Sequence, residues 1–129
     1  MAATMATSMA KSALRVGFGV VFIVLGALHF VRPGFYVPVM PPYFPAPLFW
    51  VLLSGVLEIL GGVGLLLKPW RRRAAYGLAL LMVAFFPVHV QMLVDPASVG
   101  VAAVAPILLF WRLALQFVLI TVFVWLAED

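Results

Sequence analysis

Four runs of predominantly apolar residues, at about 14–31, 48–67, 74–94 and 107–126, dominate this chain, and each carries at least one polar or ionisable side chain. Roughly 20 residues at 1.5 Å per residue cross about 30 Å of hydrocarbon, so each run is long enough to span a bilayer as a helix. Inside lipid the backbone must satisfy its own hydrogen bonds, which makes an all-α, integral membrane four-helix bundle the expected fold. Composition agrees: 67% of the 129 residues are hydrophobic and 9% charged, which leaves no material for a separate soluble domain. The expectation is a single transmembrane domain over residues 1–129.

The ends of the runs set the orientation. Lys11, Arg15, Lys68, Arg71, Arg72 and Arg73 share one side, whereas only Arg32 and Arg112 lie toward the other. By the positive-inside rule both termini face the cytoplasm, and Trp70 and Trp125 mark that interface. The first run follows a small-residue leader, yet it ends in aromatic and proline residues with no small-x-small cleavage pattern, so it reads as an uncleaved helix. Pro106 suits the first turn of the fourth helix. The expected location is a cell membrane crossed several times, the inner membrane of a prokaryote, with the lipid bilayer as the main partner. The basic residues flank spans instead of forming a continuous face, which argues against nucleic acid.

The connection between the first two spans carries Pro33, Pro38, Pro41, Pro42, Pro45 and Pro47 among Phe35, Tyr36, Tyr43 and Phe44. So many prolines exclude an ordinary helix. The stretch reads either as an ordered cap over the outer end of the bundle or as an aromatic-rich loop resting on lipid.

Ionisable groups within a membrane are costly and ask for a partner, a cavity or a role. Here they are His29, Glu58, His89 and Arg112, taken with the polar neighbour Gln116. Counting depth at 1.5 Å per residue puts His29 and His89 each about 22 Å above the cytoplasmic start of their spans, with Arg112 in the same outer third. Glu58 and Gln116 fall near the midplane. Two polar layers result. Arg112 is the expected partner of Glu58, helped by Gln116 one turn further along the same helix face. Arg112 could instead snorkel to the outer headgroups, and Glu58 could be a hydrogen-bonded acid that locks the bundle. Ser54, Gly55, Gly61 and Gly62 make the face around Glu58 small, which lets a neighbouring helix approach and permits self-association. Pro87 is expected to kink the third span.

Two imidazoles at one depth also invite a haem reading, but the chain has no cysteine and no paired histidines at metal spacing. Neutral histidines lining an outward mouth fit better, and no metal is expected. There is no self-contained catalytic motif, so the chain reads as non-catalytic on its own.

The string His29-Phe30-x-x-Pro33-x-Phe35, then Pro38-x-x-Pro41, then Ser54-Gly55-x-x-Glu58-x-x-Gly61-Gly62 resembles the DoxX-like four-helix membrane proteins. Phe86-Pro87 and Arg112-x-x-x-Gln116 extend the likeness through the third and fourth spans, although His89 stands where that family usually has Asn. The resemblance implies a subunit or partner of a membrane redox system, with a quinone as the possible cofactor bound in an outward-facing polar pocket. A non-catalytic assembly subunit that binds another membrane protein is the alternative, and a transporter or proton path ranks last, for want of inverted repeats or broken helices.

Overall fold

The computed structural model describes residues 2–101 and 103–128. Apolar side chains surround every long segment, so the helices bury only a stripe of each and leave the rest to lipid. α1 runs Ala2–Val31, α2 Pro47–Leu66, α3 Arg71–Ala84, α4 Phe86–Val94 and α5 Pro106–Ala127. Because α3 and α4 follow one another as a single span, Arg71–Val94, the described residues make four crossings, and the protein is a multi-pass membrane protein. Among the described residues there is no strand. Leu80 is 70% exposed and Phe117 60%, on spans apolar enough to cross a membrane, as expected where the solvent is hydrocarbon.

α1 begins at Ala2, twelve residues before the apolar run that announced it. At 1.5 Å per residue its 30 residues extend about 45 Å, well beyond the hydrocarbon. The extra turns meet the other terminus: Lys11 donates to the carbonyl of Glu128 and lies 4.9 Å from the Trp125 ring centre. Buried Arg15 donates to the carbonyl of Leu126 at 3.0 Å. These cations sit on the last carbonyls of α5, which lack intrahelical donors and carry the negative end of the helix dipole. Both termini and the Arg71 turn thus share one end, the basic end.

α1 and α2 are antiparallel and meet at two glycine pairs spaced seven residues apart on each helix. A Cβ on Gly26 would lie 2.6 Å from the carbonyl oxygen of Gly55, and one on Gly62 would lie 2.6 Å from that of Gly19. Backbone sits against backbone, the closest approach lipid-embedded helices can make. The larger core cluster lies toward the basic end, where Phe22, Leu65, Leu78, Leu126 and Phe123 pack together, and a smaller one gathers Met92, Val99 and Leu109. Phe123 takes the edge of Phe22 at 5.5 Å.

The third crossing breaks at Phe85. Pro87 sits in the first turn of α4 and has no N–H, so it cannot bond the carbonyl one turn back. The proline-rich connection is folded, with 3-10 turns at Pro33–Phe35 and Val37–Val39 and a fully buried Pro41. Ala46, held between two prolines, takes a left-handed backbone (φ 49°) at the entry to α2.

Candidate functional site

The glycine seam decides which polar groups meet. It brings the outer turn of α1 against α2, and buried His29 drops between Val51 and Glu58. His29 Nδ1 is 2.9 Å from the carbonyl oxygen of Val51 and 3.1 Å from Ser54 Oγ, which itself donates to that carbonyl at 2.8 Å. The carbonyl can only accept, so Nδ1 carries a proton and Nε2 turns to the acid. Nε2 lies 3.0 Å from Glu58 Oε2, with Glu58 only 5% exposed. The contact is bent, and Oε2 has no aligned hydrogen-bond partner.

This pair forms one wall of a partly open cavity of about 160 Å³. α4 contributes His89, whose buried Nδ1 likewise has no partner. α5 contributes Arg112, and the folded loop closes the outer side with Tyr36 and Met40. The Tyr36 ring centre is 3.9 Å from that of His29. Burial, and then the nearby charge of Glu58, push the Tyr36 phenol above its ordinary range. Of the two readings of the proline-rich loop, Tyr36 and Met40 are placed as in a cap, while Phe35 and Tyr43 are exposed as in a loop resting on lipid.

Four of the five residues singled out from the sequence, His29, Glu58, His89 and Arg112, therefore face one space. Two expectations need correction. The ion-pair partner of Glu58 is His29, not Arg112, which joins Glu58 to the histidine layer. The reason is side-chain direction. Cβ bonds lean toward the N-terminus of a helix, so His29 on α1 leans inward while Glu58 on antiparallel α2 leans outward, and the two meet between their backbone depths. Glu58 and Arg112 sit on parallel helices and lean the same way, so their gap stays open. The second correction is Gln116, which is buried but turned to α3, where its amide donates to the Met82 carbonyl at 3.4 Å. It does not line the cavity and does not hold Glu58.

Tyr36 and the glycines of α1 were missed as parts of the site. The matching seven-residue spacing of Gly19 and Gly26 with Gly55 and Gly62 was the available signal for the α1–α2 seam. Among the described residues, no group of three or more His, Cys, Asp or Glu gathers as a metal site.

Chemically, the cavity offers a cation, a phenol, two imidazoles and a carboxyl within a largely apolar wall. At roughly 30 Å³ per molecule it has room for about five waters, and it is smaller than the 300–1,000 Å³ typical of pockets that enclose a whole drug-sized ligand. It suits a small polar molecule, or the polar ring of a larger one.

Residues 18–127 match the model of a family described as a domain of unknown function, DUF8561, and the chain belongs to that family. No curated protein matches the chain. No solved structure matches it either.

Proposed function

We propose that the protein is a DoxX-like subunit of a quinone-linked membrane redox system, seated in a prokaryotic inner membrane with its basic end in the cytoplasm, and that it holds a quinone ring in the outer cavity. The observation that carries this reading is the convergence of His29, Glu58, His89 and Arg112 on one cavity, with Glu58 Oε2 and His89 Nδ1 left without aligned partners. Buried polar atoms without partners are costly, and a ligand that completes them recovers that cost.

A quinone presents two carbonyl acceptors on a flat ring. Arg112, Tyr36 and an imidazole N–H of His89 are donors for one of them, while the His29–Glu58 pair can share or pass a proton near the other. The ring fits a space of this size, and its apolar tail belongs in the surrounding lipid. Reduction takes up two electrons and two protons per quinone; the partner subunit supplies the electrons and this chain governs the protons and the orientation.

The test is extraction of quinone from the chain purified out of native membranes, read by mass spectrometry. Wild type is expected to carry quinone, and Glu58→Gln and Arg112→Gln to lose it while keeping their helical content. A reproducibly empty wild-type cavity would overturn the proposal. A wild-type chain that is empty but always purifies with a second membrane protein would favour the assembly-subunit reading instead.

A further inference from the structure

α2 and α3 enclose a second feature, away from the cavity. An open groove of about 660 Å³ runs between them on the lipid face, lined by Leu57, Leu60, Leu67, Gly77 and Leu80. At its basic end it shares Trp70 and Arg73 with a further hollow of about 620 Å³, completed by Pro69, Arg72 and Tyr76. One hollow is apolar and the other is cationic and aromatic, and Trp70 and Arg73 border both.

We propose that this groove seats an anionic glycerophospholipid, with an acyl chain along α2 and α3 and the phosphate on Arg72 and Arg73. Length supports it. From Leu57 to Leu67 a helix rises about 15 Å, half of the roughly 30 Å hydrocarbon core, so the groove matches one chain in one leaflet. The headgroup end is prepared as well: Arg73 lies 5.5 Å from the Trp70 ring centre and Arg72 5.9 Å from that of Tyr76, which holds both guanidiniums in place.

Charge complementarity selects the occupant. The acidic residues are Glu58, Asp95, Glu128 and Asp129, and among the described residues no carboxylate pairs with Arg72 or Arg73. A phosphodiester supplies the missing negative charge, bidentate on a guanidinium. A second copy of the chain does not, because a symmetric partner in the same membrane would set one basic end beside the other. A zwitterionic lipid brings its own cation to a site already rich in them.

Gly77 makes a clean test. A Cβ there meets nothing within 4 Å, so Gly77→Leu fills the groove without disturbing the helices, unlike Gly61 or Gly64, where a Cβ would strike Leu78 or Ala74. The measurement is quenching of Trp70 fluorescence, in a chain whose other tryptophans are replaced by Phe, by brominated phosphatidylglycerol or brominated phosphatidylcholine in mixed vesicles. Native mass spectrometry of the wild-type chain with both lipids is the companion measurement, independent of the tryptophan replacements.

Phosphatidylglycerol is expected to be retained and to quench preferentially. The preference should fall about fivefold for each arginine neutralised in Arg72→Gln and Arg73→Gln. Gly77→Leu should release the bound lipid with helical content unchanged. Equal quenching and retention of both lipids, insensitive to the arginines, would overturn the proposal. So would Trp70 shielded from both lipids in a chain that runs as a dimer, since a second copy would then occupy the groove.

Discussion

Arg15 and Glu58 are buried to nearly the same degree, 6% and 5% exposed, at opposite ends of one bundle, and they do different work. Arg15 donates to the end of a neighbouring helix, in company with Lys11, where the carbonyls of α5 need donors. Glu58 has a single bent contact with His29 and faces a space that contains no protein atoms. The first arrangement ties the two termini together. The second holds polar atoms ready for something else. Burial of a charged residue in a membrane protein is therefore not by itself a sign of function; what separates a clamp from a site is whether the group's remaining hydrogen-bonding capacity points at backbone or at a cavity.

The largest effect should come from splitting the pair at the outer end. His29→Ala leaves the Glu58 carboxyl buried without its partner and should cost about 3–5 kcal/mol in denaturant unfolding from micelles. The double change His29→Leu with Glu58→Leu should recover most of that loss yet bind no quinone. A double variant as unstable as the single one would make the pair a structural lock like Arg15.

At the basic end, Arg15→Met removes a charge-assisted hydrogen bond and should cost about 1.5–3 kcal/mol. Hydrogen exchange should show fraying of the last turn of α5 near Trp125, with quinone retained at the other end. Loss of quinone in that variant would erase the distinction between the two regions.

Between the two ends, Gly26→Val forces a side chain against the Gly55 carbonyl and should cost about 1–3 kcal/mol by overpacking. It should also weaken quinone binding, because the same seam positions His29. Arg112→Gln is the opposite case. The residue is exposed and has no ion pair among the described residues, so stability should stay within about 0.5 kcal/mol of wild type while quinone is lost.

The smallest effect is spectroscopic. The Tyr36 phenol should deprotonate above the usual tyrosine range in an ultraviolet titration, because burial and then the Glu58 charge both disfavour the phenolate. Glu58→Gln removes the second cause only, so the midpoint should drop part of the way toward the ordinary value. No change on that substitution would place the carboxylate too far from the loop for the cavity described.

Hydropathy made the four crossings legible because lipid forces the backbone to satisfy itself, and a run of apolar residues in such a solvent has few alternatives to a helix. The polar residues were legible for the same reason: Glu58 and His29 stand out against their surroundings. Their partnership was not. Residue counting along a span gives height in the membrane, while contact also depends on rotation about the helix axis and on the lean of each side chain. Height alone favoured Arg112 for Glu58. Rotation is set by the glycine pairs, and lean by the antiparallel course of α1 and α2, and together they select His29. Gln116 shows the same limit, since its one-turn spacing from Arg112 could not tell the cavity from the α3 backbone.

The break at Phe85 distributes stiffness unevenly around the cavity. The His29–Glu58 wall rides on two helices locked backbone to backbone and has almost no freedom to yield. The His89 wall rides on a nine-residue segment that begins at a proline-bearing junction and is not hydrogen-bonded through to the helix beneath it in the usual way. A guest that presses on this cavity of about 160 Å³ therefore meets one fixed wall and one that can shift, so adjustment to its shape falls to α4.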